Sequence, residues 1–208
     1  AHAHFPVPLR FGLTMGELAR LYNDRLALGA DLKVVPMAGW TRDMWYEDTG
    51  LPWVKPSPNL PSLTSIFLFP ATVHYEALNT SVGRGTDAAF QRVGAPWMDN
   101  VRVAELLNGR GLPGVRFEAE RFTPVDPTDE KFPGVDLPGV RIVVTDRSVA
   151  EPSRVAAALL WALVETTPDS LVFRLPRFDE HFGAARLREA IVAGADPDSV
   201  LAGEKAAV

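Results

Sequence analysis

The fold class is decided by GVRIVVTDRSVAEPSRVAAALLWALVETTP, residues 139–168, a stretch that shows the sequence patterns of both a strand and a helix. Its first part, GVRIVVTD, is an almost continuous apolar run with the length of a buried strand. Its second part has Pro152 where a helix would begin, followed by alanines and leucines that favour helix. The stretch therefore predicts a buried strand followed by a long helix.

Outward from this stretch, the remaining elements alternate between helix and strand. Thr14 and Glu17 have the spacing of a capping box, so we predict a helix that begins there and ends at Gly29. We predict further strands at residues 31–37, 90–94, 114–125 and 170–174, and further helices at 62–79 (broken at Pro70), 100–111, 183–194 and 196–208, the last of which looks unfinished. This alternation indicates an α/β domain, or alternatively α+β, with a small mixed sheet of about three to five strands flanked by helices.

A long irregular segment, residues 38–61, interrupts this pattern. It ends in DTGLPWVKPSPNLP, residues 48–61, which contains four prolines and has neither a helical nor a strand period. Irregular runs of this length are usually functional. Because proline restricts the unfolded chain as well, such a segment loses less entropy when it is held as a wall, and we expect it to form the rim of a cleft.

Composition excludes several classes of function. The formal net charge is -5, and no block of lysine or arginine occurs, which argues against binding to nucleic acid or to an anionic membrane surface. No apolar run is long enough to span a membrane, and no signal peptide is recognisable at the start of the chain. The absence of cysteine excludes disulfides and thiolate chemistry, but it leaves the cellular compartment open.

The densest cluster of polar side chains lies in YEALNTSVGRGT, residues 75–86. Glu76, Asn79, Arg84 and Thr86 fall within this stretch, and a glycine precedes and follows the arginine. An arginine held by such a turn could form a bidentate contact with a carboxylate, which would make the cluster an anion clamp. The alternative, which the pattern alone favours, is that Arg84 pairs with a neighbouring carboxylate and that the glycines only form a turn.

A second cluster is aromatic and consists of Trp40, Trp45, Tyr46, Trp53 and, further along the chain, Trp97. Tryptophans in an irregular segment are suited to stacking on sugar rings. At least two of them are instead expected to close the core beneath the long loop. The nearby carboxylates Asp43, Glu47 and Asp48 are candidates for acid/base chemistry, although capping of the loop is the commoner role.

The residues for other kinds of catalytic site are missing. The four histidines lack partners at ligand spacing, and no G-x-S-x-G or phosphate-binding loop occurs. We therefore predict neither a metal nor a cofactor.

Four long motifs resemble the exo-β-N-acetylmuramidase (NamZ-type) family, formerly a bacterial domain of unknown function. They are PVPLRFGLTMGELARLYN, DTGLPWVKPSPNLP, NTSVGRGTDAAFQRVGAPWMD and GVRIVVTDR, and they occur in this order. The resemblance implies that residues 1–208 are the single C-terminal domain of a larger protein, without the Rossmann-like N-terminal half in which the two glutamates proposed as catalytic for the family lie. It also implies release of N-acetylmuramic acid from the non-reducing ends of peptidoglycan, by a periplasmic or extracellular bacterial enzyme.

The resemblance gives the candidate residues a ligand and leaves this chain without catalytic residues of its own. Arg84 is predicted to bind the lactyl carboxylate, and Asn79 and Asn59 to hydrogen-bond the acetamido group or the ring hydroxyls. Thr86 is predicted to be a further substrate-binding residue. Trp53 or Tyr46 is predicted to stack on the sugar, and Glu76 to orient Arg84 or a loop. The expected partners are the N-terminal catalytic domain and muramic acid saccharides. The alternative is a structural or carbohydrate-binding domain with no role at the reacting sugar.

Overall fold

The computed structural model describes residues 12–207, with side chains described as far as residue 202. The chain divides into two compact units: residues 12–54, called the small unit here, and residues 55–207, called the large unit. The proline-rich segment belongs to both, since the division falls between Val54 and Lys55. No helix in the described range has the length and apolar character needed to cross a membrane.

The small unit contains one α-helix, α1, at Met15–Arg25, and one 3₁₀ turn at Tyr46–Thr49. The predicted capping box is confirmed: the Thr14 amide donates to the Glu17 carboxylate (2.7 Å), and the Glu17 amide donates to the Thr14 hydroxyl (3.2 Å). The helix ends four residues before Gly29. Beyond its end, the Asn23 side chain hydrogen bonds to both the amide and the carbonyl of Ala30, which holds the exit turn.

The large unit contains the other elements. They are α2 at Leu63–Thr72, a 3₁₀ turn at Val73–Ala77, β1 at Arg92–Gly94, α3 at Asn100–Gly109, β2 at Val115–Phe122, β3 at Leu137–Val144, α4 at Pro152–Thr166, a 3₁₀ turn at Pro168–Ser170, α5 at Arg177–Phe182, α6 at Ala185–Val192 and α7 at Pro197–Ala207.

The sheet has three strands in the order β1-β3-β2, and both pairings are antiparallel. In register, Val140 of β3 pairs with Val93 on one side and with Ala119 on the other. Helix α3 packs against the sheet and also against α4. The predicted α/β or α+β class is confirmed. The pairing is antiparallel rather than mixed, which corresponds to the α+β option.

Helix α4 is the centre of the core. Nine of its fifteen residues are buried, and it packs against α2, α3, α6 and α7. Two of its leucines, Leu160 and Leu163, have no exposed surface. The Tyr75 hydroxyl donates to the carbonyl of Ala156 in this helix (2.6 Å), so a buried polar group is satisfied inside the apolar core.

Two strand predictions are wrong. Residues 31–37 form no strand, and Val35 is 89% exposed, because an apolar run becomes a strand only where another backbone pairs with it. Residues 170–174 make a single bridge, between Leu78 and Phe173, instead of a strand. The short helix α5 was not predicted.

Candidate functional site

The candidate site is a half-open pocket in the large unit with a volume of about 320 Å³. It is lined by Glu76, Arg84, Thr128, Asp129, Lys131, Arg174 and Arg177. Four of these side chains carry positive charge and two carry negative charge. They come from three separate segments: residues 76–84, the loop between β2 and β3, and the chain around the start of α5.

Two glycines set the position of Arg84. Gly83 and Gly85 both have positive φ (77° and 76°), which favours glycine over residues with a side chain. A Cβ atom at Gly85 would lie 2.4 Å from the carbonyl oxygen of Val125, so the turn also packs too closely against the β2–β3 loop for a side chain. The two glycines that flank Arg84 are therefore required by the turn itself.

Arg84 is held in place by a carboxylate, a hydroxyl and a ring. Its Nε forms an ion pair with Oε1 of Glu76, its Nη1 donates to the Thr128 hydroxyl (3.1 Å), and its guanidinium lies 5.1 Å from the centre of the Phe90 ring. The side chains of Arg84 and Glu76 are only 19% and 10% exposed. The predicted pairing of Arg84 with a neighbouring carboxylate is confirmed, and Glu76 is the partner.

Lys131 fastens the loop between Glu76 and Thr80. Its Nζ donates to the carbonyl oxygens of Glu76 (2.7 Å), Leu78 (2.7 Å) and Thr80 (2.8 Å), which uses all three of its protons. Burial is the main cause that lowers the pKa of Lys131 to about 8; the charge of Asp129 opposes this shift, and that of Arg174 favours it. Lys131 therefore supports the wall of the pocket through backbone contacts.

The other predicted binding residues of the large unit are divided between the pocket and the scaffold. Asn59 lies beside the pocket, because its Oδ1 accepts a hydrogen bond from the Thr128 hydroxyl (3.3 Å). The Asn79 side chain instead holds the turn at 170–172, through the carbonyl of Ser170 (2.8 Å) and the amide of Val172 (2.9 Å). Thr86 donates to the carbonyl of Gly83 (2.6 Å) and stabilises the turn at Arg84.

The two predicted aromatic residues lie together in the small unit. The rings of Tyr46 and Trp53 meet edge to face with their centres 5.2 Å apart, and the Tyr46 hydroxyl donates to the carbonyl of Pro52 (2.8 Å). Their predicted stacking on a sugar stays a prediction. Trp97 packs against the core of the large unit. This is the role in closing the core that was expected for at least two of the tryptophans.

The carboxylates near these aromatics act locally. Asp48 accepts a hydrogen bond from the amide of Trp45 (2.7 Å) and so caps the 3₁₀ turn. A hydrogen bond with Thr41 is the main cause that lowers the pKa of Asp43. Both residues have the loop-capping role, which was the commoner expectation.

Five residues of the pocket were not predicted from the sequence: Thr128, Asp129, Lys131, Arg174 and Arg177. Their signal in the sequence is weak. Its clearest part is FRLPR at residues 173–177, which contains two arginines three positions apart. No group of three or more His, Asp or Glu side chains in the described range could hold a metal ion.

Two family models match the chain. The model described as exo-β-N-acetylmuramidase NamZ, C-terminal, matches residues 67–208, and the one described as exo-β-N-acetylmuramidase NamZ, N-terminal, matches residues 2–64. The N-terminal match ends and the C-terminal match begins about ten residues after the boundary between the two compact units. That residues 1–208 form a single C-terminal domain, without the N-terminal half, stays a prediction.

Similar proteins were found among characterised sequences and among solved structures. Peptidoglycan β-N-acetylmuramidase NamZ of Bacillus subtilis (strain 168) is 38% identical over 198 residues, which are 95% of this chain and 47% of that protein. The crystal structure of a DUF1343 family protein from Bacteroides fragilis NCTC 9343 is 31% identical with a TM-score of 0.80, covering 89% of this chain and 50% of that one. A second DUF1343 structure from the same strain is 26% identical with a TM-score of 0.65, covering 94% and 52%. The chain thus spans about half the length of the relatives it matches.

Proposed function

Because this chain belongs to the exo-β-N-acetylmuramidase NamZ family, we propose that it is part of a peptidoglycan glycosidase that releases N-acetylmuramic acid from non-reducing ends. The observation that carries this proposal is the cationic pocket of the large unit. A muramic acid residue has a lactyl carboxylate, an acetamido group and hydroxyls. The pocket places arginines beside the hydroxyl of Thr128 and the amide of Asn59, which are groups suited to these three features.

The proposed role of this chain is to bind substrate, with the catalytic carboxylates supplied by another part of the protein. Glycosidases commonly use two carboxylates about 5 to 10 Å apart. Of the two that line the pocket, Glu76 is neutralised by Arg84, and Asp129 lies beside Lys131. Glu76 is engaged by Arg84, and Oδ2 of Asp129 is buried, so neither side chain is placed to act as the carboxylic acid that protonates a leaving group. We therefore place the reacting pair in the N-terminal catalytic domain.

The small unit supports the proposal of a partner domain. Its exposed apolar side chains include Met15, Val35, Met37 and Val54, which are between 64% and 89% exposed. Exposed apolar side chains are candidates for a surface that another part of the protein covers. We propose that the N-terminal catalytic domain covers them and shares a substrate cleft with this chain.

The alternative is a structural or carbohydrate-binding domain without a direct role at the reacting sugar. Two observations favour it: both ends of the Asn79 side-chain amide hold the turn at 170–172, and the charge of Arg84 is compensated by Glu76. The openness of the pocket favours the first proposal, since a purely structural cluster would be closed by its own side chains.

The experiment is hydrolysis of a chromogenic N-acetylmuramic acid β-glycoside by the full-length protein and its Arg84→Ala variant. We expect kcat/KM to fall about tenfold or more, because Arg84 either contacts the carboxylate or positions the groups that do. Arg102→Ala, which removes an exposed arginine of α3 that pairs with the exposed Glu105, is the matched control. Unchanged kcat/KM in Arg84→Ala would remove Arg84 from the site.

A Glu76→Gln variant separates the two roles of the carboxylate. If Glu76 only orients Arg84, the variant should weaken turnover partially. Complete loss of turnover in a correctly folded protein would make Glu76 a catalytic residue.

The cellular location follows from the proposed substrate. Because peptidoglycan lies outside the cytoplasmic membrane, we propose a periplasmic or extracellular protein. Cell fractionation with an antibody against the chain tests this, and recovery with the cytoplasmic fraction would contradict it.

A further inference from the structure

We infer that Arg174 and Arg177 are the residues that determine specificity in the pocket, and that they bind the carboxylate of an acidic saccharide. The inference rests on the proposed function for the identity of the saccharide. Arg84 and Lys131 then act as positioning residues. This differs from the prediction made from the sequence, in which Arg84 itself binds the lactyl carboxylate.

The first step is that two of the four cations already have partners. Arg84 donates to Glu76 and Thr128, and all three protons of Lys131 are taken by backbone carbonyls. A ligand carboxylate would have to displace Glu76 before it could bind Nε of Arg84. The charge of Arg84 is thus compensated by Glu76 and the protons of Lys131 are all used, so we assign both side chains to the pocket wall.

The second step is that Arg174 and Arg177 have unused donors. Both residues are exposed at the pocket, and in the described part of the chain no acidic side chain pairs with either guanidinium. Each guanidinium has five N–H donors in a planar fork that matches a carboxylate. The excess positive charge of the pocket, four cations against two carboxylates, is thus located on these two residues.

The third step is that the backbone of the pair is held in place. The amide of Arg174 donates to the carbonyl of Ala77 (2.8 Å), which lies next to Glu76, and its carbonyl accepts from the amide of Phe178 (3.1 Å). Phe178 is fully buried and packs against the ring of Phe173 with centres 5.0 Å apart. Because one chain neighbour of each arginine, Phe173 or Phe178, packs in or against the core, mainly the arginine side chains need to be ordered when a ligand binds.

Asn79 completes this arrangement. Its two side-chain hydrogen bonds hold the turn at 170–172, and its amide donates to the carbonyl of Val172 (3.2 Å). The segment that leads to Arg174 is thereby fastened to the segment that carries Glu76. Asn79 accordingly acts on the pocket through the position of Arg174.

The fourth step concerns the size of the ligand. The pocket volume of about 320 Å³ lies at the lower end of the range of about 300–1,000 Å³ for small-molecule sites. It has room for one sugar residue with its acidic substituent. Two unneutralised guanidinium groups around such a volume favour an anionic sugar over a neutral one, since a neutral sugar leaves their charge uncompensated.

The test compares two substrates in the full-length protein: a chromogenic N-acetylmuramic acid β-glycoside, and the same glycoside with its lactyl carboxylate converted to the amide. For the double variant R174A/R177A we expect KM for the acid to rise about ten- to a hundredfold, as loss of charge-assisted hydrogen bonds implies. We expect kcat to stay the same and KM for the amide to change less than about twofold. Arg177→Lys should recover part of the preference, since it keeps the charge but loses the fork. Arg102→Ala should have no effect on either substrate.

Calorimetric binding of free N-acetylmuramic acid and N-acetylglucosamine gives a readout independent of turnover. If the wild type hydrolyses the acid and the double variant retains the same acid-to-amide preference, the inference is overturned while the proposed function stands. If the wild type hydrolyses neither glycoside but binds N-acetylmuramic acid only when both arginines are present, the proposed function fails and the inference holds. Absence of both hydrolysis and binding in the wild type overturns both.

Discussion

The two units of this chain bury their apolar side chains to very different extents. In the large unit, α4 alone contributes nine buried residues, and the core continues through α2, α3 and the sheet. In the small unit, none of the described residues falls in the buried class, and Val35 is 89% exposed. The small unit is shaped by caps and side-chain-to-backbone hydrogen bonds, whereas the large unit is shaped by packing. The same kind of substitution should therefore have different consequences in the two units.

The largest effect is expected from Phe178→Ala in the large unit. This side chain is fully buried among the rings of Phe173, Phe182 and His74. Its truncation should lower the free energy of unfolding by about 3–5 kcal/mol, measured by urea denaturation. Met15→Ala in the small unit removes a side chain that is 79% exposed. It should change the free energy of unfolding by less than about 0.5 kcal/mol. An equally large cost for Met15→Ala would show that the small unit has a core of its own.

The next effect is a loss of stability in acid that comes from the large unit. Burial lowers the pKa of His74 to about 4, whereas a histidine in the unfolded chain titrates near 6.5. Between these pH values the unfolded chain binds a proton that the folded chain does not. Stability should therefore fall as pH drops from 6.5 to 4, by about 3 kcal/mol from this group.

The His74→Phe variant isolates this contribution, since phenylalanine suits the ring cluster and does not titrate. Urea denaturation of both proteins at pH 7 and pH 4 should show the difference in stability shifting by about 3 kcal/mol in favour of the variant at the lower pH. An unchanged difference between the two proteins would mean that folding does not lower the pKa of His74.

The smallest effect is expected in the small unit, from Thr14→Ala. Loss of the capping box should destabilise α1 by about 1 kcal/mol. The readout is faster hydrogen exchange of the α1 amides, while the amides of α4 remain protected. Thr14→Ser keeps the hydroxyl and serves as the control. If α1 exchanges at the same rate in all three proteins, the cap does not limit opening of the helix.

The contrast between the units also explains which features could be predicted from sequence. The capping box of α1 and the helix α4 were predicted correctly, because their signals lie within one turn or one helical face. The strand expected at residues 31–37 is absent, because pairing depends on a partner backbone that the run itself does not encode. The class of fold could thus be predicted, but strand pairing could not.

In the pocket, too, contacts between residues close in sequence could be predicted, and contacts between distant residues could not. The contact of Glu76 with Arg84 joins residues eight positions apart, and the glycines around the arginine pointed to it. Lys131 lies more than fifty positions from the carbonyls it binds, and Arg174 lies almost a hundred positions from Ala77. Neither contact leaves a local pattern, so the residues that carry the free charge of the pocket were missed.

Lys131 also has a consequence for chemical reactivity. Burial lowers the pKa of its amine to about 8, and all three of its protons are donated to backbone carbonyls of the pocket wall. While the fold keeps the amine buried and hydrogen-bonded, an acylating reagent reaches it poorly. Unfolding breaks these hydrogen bonds and exposes the amine to the reagent. The extent of labelling at this one position would act as a built-in reporter of whether the pocket is assembled.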